Sequence, residues 1–273
     1  MSEQIVLLVQ LNENEILRVE NLSMHFGGLK AVEQLTFSIN EHEIFGLIGP
    51  NGAGKTTVFN CITQFYKPSQ GRVLFRTKQG QTEDLVSQKV HNIIRKGLVR
   101  TFQNVELVSE LSLMDNVLVG GHIDFKSSGF SQALRLPKAR REEKAMREKA
   151  ERILAFMGID HLKDAMAGGQ PYGIRKKVEM ARTLMCDPKL IILDEPAAGL
   201  NDVETQQLAE TIREVRDSYN CAILLVEHDM RLVMEICDRV CAISFGKFLA
   251  CDTPENIQKN SLVQEAYLGE KED

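Results

Sequence analysis

The stretch Gly49–Thr57, GPNGAGKTT, is the strongest indication of the fold in the sequence. It fits the pattern G-x-x-x-x-G-K-[ST], directly follows the apolar run EIFGLI (residues 43–48) and opens a helix-like stretch. Its glycines let the backbone wrap around phosphate groups, so that N–H groups and the helix dipole face the anion. The alternative is a chance glycine-rich turn, and the strand before it and the helix after it count against that. The pattern predicts a phosphate-binding loop in an α/β domain.

The same loop supplies the side chains that a bound nucleoside triphosphate requires. Lys55 is expected to reach the β- and γ-phosphates, and the Thr56 hydroxyl is expected to ligate Mg²⁺. The residues predicted to bind the nucleotide here are Gly49, Pro50, Asn51, Gly52, Ala53, Gly54, Lys55, Thr56 and Thr57.

Charged residues end two further strand-like runs. In KLIILDEPAAGLN (189–201), Asp194 and Glu195 stand at the carboxyl end of a strand, where α/β sheets place ligand chemistry. Asp194 is expected to hold the Mg²⁺ shell, and Glu195 to polarise a water aimed at the γ-phosphate. The alternative is that two acids merely end a strand and cap the next helix. After CAILLVE (221–227), His228 is expected to hydrogen-bond the γ-phosphate, with a purely structural histidine as the alternative.

Composition limits the possible classes of protein. The 273 residues, 43% hydrophobic and 26% charged, are ordinary for a globular protein with an ample core. A net charge of −5 argues against a nucleic-acid binder that works by bulk electrostatics. The six cysteines contain no C-x-x-C pair, which favours buried, reduced thiols over disulfides or metal ligands. No apolar stretch approaches the ~18–20 residues of a membrane span, and IVLLVQL (5–11) lacks the basic start of a signal peptide.

The chain divides into three zones. Short β-rich runs occupy about residues 15–76, a helical pattern covers about 105–172, and buried-type strands alternate with helices from about 174 onward. We therefore expect one domain over 15–269, with an extension (1–14), a tail (270–273) and the helical zone inserted. In that zone an apolar stripe at helical spacing predicts a buried helix face: Met146, Ala150, Ile153, Leu154 and Met157. The opposite, densely charged face is expected to be solvated, with a headgroup or partner contact as the alternative.

Taken together and in this order, the motifs resemble the ATP-binding cassette (ABC) ATPase family. The resemblance covers about residues 15–269 and includes the phosphate loop, Gln103 in RTFQNVEL, the segment GGQPYG, Asp194–Glu195 and His228. It implies ATP and Mg²⁺ as ligands. It also implies a P-loop α/β fold in which a mixed core sheet is joined by an antiparallel β subdomain and an inserted helical subdomain that docks on transmembrane partners.

The resemblance implies further roles by position. Phe26 is similar to the aromatic residue that stacks on adenine, for which a flat ring is suited; a core phenylalanine is the alternative. Gln103 is similar to the family glutamine that contacts Mg²⁺ and the attacking water. Residues 198–201 stand where the family has its dimer-contact loop.

The segment from Gln170 to Ile174 aligns with the family's signature loop, commonly L-S-G-G-Q. In the family that loop presents a helix N-terminus to the ATP of a second subunit, so hydrolysis requires a head-to-tail dimer. Here the serine hydroxyl is absent and Pro171 lacks an N–H. The resemblance implies that the partner's ATP is contacted by the parts of the loop that remain, which are Tyr172, Gly173 and a helix starting near Ile174.

Within the family, the chain is most similar to the ATP-binding subunits of branched-chain amino acid uptake systems. RTFQNVEL, DEPAAGLN, VEHDM and the tail TPENIQKNSLVQEAYLGE carry this resemblance, and a P-Y-G signature is familiar there, whereas Gln170 and Ile174 depart from it. It implies a peripheral protein on the cytoplasmic face of the inner membrane. Its expected partners are permease subunits, a second ATPase subunit (identical or different) and, indirectly, a substrate-binding protein.

Two other functions stay open at this point. The same ATPase could serve another cargo, either urea and short amides or lipopolysaccharide in export. A soluble ABC ATPase that acts as an assembly scaffold, or in DNA repair or translation, belongs to a different class. One cassette and a helical insertion of modest length favour the transporter.

Overall fold

The computed structural model describes residues 10–101, 106–124 and 137–268. Its strands form two sheets. The strands in these ranges are β1 (Glu15–Phe26), β2 (Leu29–Asn40), β3 (Ile44–Ile48), β4 (Gln70–Arg76), β5 (Thr82–Asp84), β6 (Leu98–Arg100), β7 (Leu190–Asp194), β8 (Ala222–Val226), β9 (Arg239–Ser244) and β10 (Lys247–Asp252).

The larger sheet has the order β10-β9-β3-β8-β7-β6, and all its neighbours are parallel except β9 and β10. Every residue of β3, β7 and β8 is buried, as the continuous apolar runs of a covered parallel sheet require. The smaller sheet, β2-β1-β4-β5, is antiparallel. The predicted α/β class, with a mixed core sheet and an antiparallel β subdomain, is confirmed.

The helices are α1 (Lys55–Ile62), α2 (Val90–Lys96), α3 (Leu113–Gly120), α4 (Pro137–Phe156), α5 (Tyr172–Leu184), α6 (Asp202–Tyr219), α7 (Met230–Ile236), α8 (Pro254–Lys259) and α9 (Ser261–Leu268). Helices α3 and α4 lie in the chain between β6 and β7, as expected for a helical insertion. They pack against each other and against α5. Within the described ranges, no helix combines the length and apolar character needed to cross a membrane.

The apolar stripe predicted for the helical zone is buried. Ala150, Ile153, Leu154 and Met157 belong to the core cluster that also contains residues of α3 and α5, and Met146 packs against it half-buried. The interior therefore joins the inserted helices to one face of the core sheet. On the other face, the antiparallel sheet and α1 form a second core, so successive residues of β7 alternate between the two clusters.

The β9–β10 hairpin was not predicted from the sequence. Its two-residue turn, Phe245–Gly246, has positive φ at both positions (47° and 73°), the geometry that suits the twist of paired antiparallel strands. The turn reaches the phosphate loop, where the Gly246 N–H donates to the Ala53 carbonyl at 2.9 Å. The hairpin thus supports the glycine-rich loop from one side.

Candidate functional site

The glycine-rich loop follows β3 and opens α1, as its sequence predicts. Gly54 is the N-cap of α1 with φ 101°, and a Cβ there would lie 2.6 Å from the Ala31 carbonyl oxygen. Gly49 is equally constrained, since a Cβ would lie 2.2 Å from the Ile243 carbonyl oxygen. Both glycines are therefore required by the close approach of neighbouring backbone, which holds the loop in place.

Lys55 is buried inside this loop. Its ammonium group donates to the carbonyl oxygens of Gly49 and Pro50, at 2.5 and 3.1 Å. The positive charge is therefore fixed at the centre of the loop, at the N-terminus of α1, where the helix dipole already favours an anion.

A cleft of about 390 Å³ opens over the loop. Phe26 and Glu195 line it together with the stretch Asn51–Thr57. The Phe26 ring is 43% exposed and is supported edge-on by Tyr66, with centroids 5.3 Å apart. Phe26 is thus a half-exposed cleft residue, which excludes the alternative of a core phenylalanine. Tyr66 was not predicted from the sequence.

Asp194 ends β7 and is nearly buried, and this burial raises the pKa of its carboxyl to about 6. Its partner is Arg100 at the end of β6, with 3.6 Å between Nη2 and Oδ2. The Arg100 guanidinium lies over the Phe59 ring and donates to the Asn60 side chain at 2.9 Å, both in α1. Arg100 therefore ties the carboxylate to the helix that begins at the phosphate loop, a role that the sequence did not indicate.

Glu195 and His228 lie side by side at the ends of the adjacent strands β7 and β8. The His228 Nδ1 is 3.9 Å from a Glu195 carboxylate oxygen, and its side chain is 61% exposed. Glu195 has a positive φ of 46°, uncommon outside glycine, and its N–H donates to the Val226 carbonyl. The phosphate loop, Asp194–Glu195 and His228 thus follow the parallel strands β3, β7 and β8, which are neighbours in the sheet.

A family model described as ABC transporter matches residues 32–198 of the chain. Among curated relatives, the high-affinity branched-chain amino acid transport ATP-binding protein LivG of Escherichia coli K12 is 45% identical over 255 residues, covering 93% of this chain and 98% of the relative. The protein of the same description from Pseudomonas aeruginosa, BraF, is 42% identical with the same coverage. The chain belongs to the ABC transporter family.

Solved structures of the family have the same architecture. A nucleotide-free ATP-binding cassette of an ABC transporter is 32% identical with a TM-score of 0.79, covering 93% of this chain and 98% of the other. A cassette in its ADP conformation, also 32% identical, gives 0.80 with 93% and 99% coverage. The chain is therefore an ABC-type ATPase cassette, and its phosphate loop lies in a fold that binds nucleotide.

The helix that follows Pro171 begins earlier than predicted. Helix α5 starts at Tyr172 rather than near Ile174, with Pro171 as N-cap, and the Arg175 N–H donates to the Pro171 carbonyl at 3.1 Å. With Pro171 at the N-cap, the helix lacks one of its four N-terminal donors, and the N–H groups of the first three helical residues remain without an intrahelical partner. Tyr172 and Gly173 therefore occupy the first turn, away from the chain's own nucleotide cleft, which neither of them lines.

Two contacts join α5 to the loop that follows β7. Lys176 donates to the Pro196 carbonyl at 2.5 Å, and burial lowers the pKa of its ammonium group. The Tyr172 ring packs on Gly199, where a Cβ would lie 3.3 Å from the ring, and Gly199 has φ 79°. The start of α5 and residues 198–201 are thus in contact within the same chain.

Glu227 is a site residue that the sequence did not single out. Its carboxylate is fully buried, and it accepts from the N–H groups of Ala197 (2.7 Å), His228 (3.0 Å) and Asp229 (3.2 Å). It thereby connects the loop after Glu195 to the loop that carries His228. An acid at the end of an apolar run, directly before a histidine, was the available signal in the sequence.

The predicted Gln103 lies outside the described residues. The described chain brings Thr56, exposed in the first turn of α1, to the same edge of the sheet as Asp194. In the part of the chain that the structure describes, no three His, Cys, Asp or Glu side chains cluster as a metal site.

Proposed function

We propose that the chain is the ATP-hydrolysing subunit of a membrane ABC transporter that powers the uptake of branched-chain amino acids. The observation that carries the ATPase part is the convergence of Lys55, Glu195 and His228 at the ends of three neighbouring strands. The cargo rests on the relatives at 42–45% identity, whose printed names specify branched-chain amino acid transport.

ATP is bound by the loop Gly49–Thr57, with Lys55 opposite the β- and γ-phosphates and the adenine against Phe26. Support comes from the shared cleft that Phe26 and the loop line, and from the edge contact by which Tyr66 holds the Phe26 ring. Lys55 exchanges its bonds to loop carbonyl oxygens for bonds to phosphate, which is the stronger acceptor.

Mg²⁺ accompanies the nucleotide in this proposal, held by the Thr56 hydroxyl, by Asp194 and by Gln103. Mg²⁺ usually keeps waters and substrate phosphates and takes only one or two protein carboxylates, and Asp194 together with the Thr56 hydroxyl offers donors of that kind. When bound, the ion neutralises charge between the β- and γ-phosphates. Arg100 keeps the Asp194 carboxylate turned toward α1.

Glu195 orients and polarises the water that attacks the γ-phosphate, and His228 donates a hydrogen bond to that phosphate. Their separation of 3.9 Å places both groups within reach of one small ligand. Glu227 positions both by fixing the backbone on either side of them. Loss of the γ-phosphate therefore removes a partner from His228 and relaxes the loop that carries it.

Hydrolysis takes place in a head-to-tail dimer, in which Tyr172 and Gly173 of one subunit face the ATP of a second subunit, identical or different. Support comes from the first turn of α5, where Tyr172 is exposed and no side chain caps the N-terminal N–H groups of the helix. The inserted helices contact the permease subunits on the cytoplasmic face of the inner membrane, and a substrate-binding protein delivers the cargo on the other side.

Uptake in cells that lack their own branched-chain transport tests both parts of this proposal. The chain is co-expressed with the permease subunits that co-purify with it, and uptake of labelled leucine and of labelled urea is measured. We expect ATP-dependent leucine uptake with wild type and none with Lys55→Ala. Uptake of urea would overturn the proposed cargo. Leucine uptake that persists with Lys55→Ala would overturn ATP as the proposed energy source.

A further inference from the structure

Two cysteines face each other on the β9–β10 hairpin. Cys241 and Cys251 are direct partners in the antiparallel register, and both belong to the core face that is turned toward the antiparallel sheet. Direct antiparallel partners have Cα atoms about 4.5–5.5 Å apart, within the range that a disulfide spans. The strand register therefore gives the pair a backbone separation that a disulfide can span.

The two thiols differ in access to solvent. Cys241 is fully buried, whereas Cys251 lies on the edge strand β10 and is only half-buried. An oxidant from solvent would therefore reach Cys251 first and would meet Cys241 behind it. The pair has the arrangement of an attacking thiol and a resolving thiol.

A cation stands beside the outer thiol. The Arg239 guanidinium donates to the Cys251 sulfur at 3.3 Å, from the same face of β9. It is shared with the buried carboxylate of Glu43, 3.2 Å away, and it lies over the Phe45 ring. Of the charged groups packed around Cys251, Arg239 is thus a direct donor to the sulfur, while Glu43 opposes a negative charge there.

These contacts give the Cys251 thiol a lower pKa than the Cys61 and Cys221 thiols. The pKa of Cys251 is lowered to about 7, mainly because the Cys241 thiol donates to the Cys251 thiolate and further because Arg239 is close. By contrast, burial raises the pKa of Cys61 to about 11 and that of Cys221 to about 12. Near neutral pH, Cys251 is therefore a thiolate in a substantial fraction of molecules, while Cys61 and Cys221 stay protonated.

We propose that Cys251 and Cys241 form a peroxide-reactive dithiol, in which Cys251 is oxidised first and Cys241 closes a reversible disulfide between β9 and β10. The co-reactant is a hydroperoxide of small size, such as hydrogen peroxide. Transient disulfides of this kind are the form that cysteine oxidation takes in reducing compartments.

Hydrogen peroxide oxidises the pair in two steps. The Cys251 thiolate attacks one peroxide oxygen and the O–O bond breaks, which produces a sulfenic acid. The departing hydroxide takes up the proton that the Cys251 thiol had released and leaves as water. The Cys241 sulfur then attacks the Cys251 sulfur, the S–O bond breaks, and the Cys241 proton leaves with the oxygen as a second water. Two thiols are oxidised by two electrons, and one peroxide is reduced to two waters.

The test uses the purified, reduced full-length chain treated with one equivalent of hydrogen peroxide at pH 7. Remaining thiols are alkylated after denaturation, and peptides are mapped by mass spectrometry without reduction. We expect a Cys241–Cys251 linked peptide that dithiothreitol removes, with Cys61 and Cys221 still alkylated. In the native chain, iodoacetamide should modify Cys251 on the order of 10² times faster than Cys61, or more.

Two variants keep the result decisive. In Cys241→Ser, the sulfenic acid at Cys251 should persist and be trapped by dimedone; in Cys251→Ala, which changes only the half-buried thiol, Cys241 should stay reduced. Cys186→Ser, a buried cysteine outside the pair, should still form the linked peptide. The proposal is overturned if Cys251 reacts no faster than Cys61, or if peroxide leaves the wild-type pair unlinked.

Discussion

Replacing Glu227 by alanine is expected to destabilise the chain and to slow hydrolysis without weakening nucleotide binding. The carboxylate is fully buried and accepts three backbone N–H groups. Hydrogen bonds to a charged group contribute about 1.5–3 kcal/mol each, but they are not additive. In the alanine variant, water can replace the carboxylate as acceptor for the His228 and Asp229 N–H groups, because the His228 side chain is exposed. Ala197 is buried, so its N–H is left unpaired.

From these contacts we expect Glu227→Ala to lower the free energy of unfolding by about 2–4 kcal/mol. Glu227→Gln keeps one carbonyl acceptor but turns an NH₂ toward a donor, so a loss of about 1–2 kcal/mol is expected. Both variants should also reduce kcat, Glu227→Ala more than Glu227→Gln, because Glu227 holds the Ala197 and His228 N–H groups beside the reacting side chains. The ATP dissociation constant should stay within about twofold.

The assay is urea unfolding followed by circular dichroism, with ATPase rates and ATP titration measured on the same preparations. Glu210→Ala, an exposed glutamate on α6, is the matched control and should change stability by less than about 0.5 kcal/mol. If Glu227→Ala were as stable as this control, the carboxylate would not be holding the two loops together and the reasoning would be refuted.

Three further substitutions test separate parts of the site. Gly49→Ala should lower the free energy of unfolding in urea by at least about 2 kcal/mol, because its Cβ would lie 2.2 Å from the Ile243 carbonyl oxygen. The control Gly28→Ala should leave that free energy nearly unchanged, because the space around Gly28 is open. Phe26→Ala should weaken ATP binding about five- to tenfold by calorimetry while changing stability by less than about 1 kcal/mol, since the ring is half-exposed. Ile174→Gln should lower stability by about 1 kcal/mol, because Ile174 packs half-buried against the core; equal or higher stability would contradict that packing.

Motifs within one continuous stretch were predictable from the sequence. The phosphate loop needs its glycines, Lys55 and a following helix at fixed spacing, so the strand, loop and helix could be placed together. Asp194 and Glu195 were found because a buried apolar run ends at them. The apolar stripe through Ile153 could be predicted because apolar residues at helical spacing indicate which face of the helix is buried.

Residues that act through distant partners were not predictable. Arg100 matters because β6 places it beside Asp194 and over Phe59, and no spacing within the chain reports that contact. Glu227 matters through the Ala197 N–H, 30 residues away. The positions of the six cysteines in the sequence did not indicate which of them lie close together. Cys241 and Cys251 are neighbours only because of the register of strands β9 and β10.

The early start of α5 has a local cause that the sequence left ambiguous. Proline can stand either before or inside the first turn of a helix, so the first helical residue is ambiguous in the sequence. The Arg175-to-Pro171 hydrogen bond shows that Pro171 is the cap, so the N–H groups of the three residues after it remain without an intrahelical partner.

Glu195→Gln shows whether Glu195 enables this cassette to hydrolyse ATP between two subunits. ATPase rate, ATP affinity and size by light scattering are measured on one preparation with Mg²⁺. We expect an unchanged ATP dissociation constant, turnover reduced at least about 100-fold, and an ATP-dependent shift from the 30.7 kDa monomer to a dimer. Turnover equal to that of wild type would exclude Glu195 from the hydrolysis step.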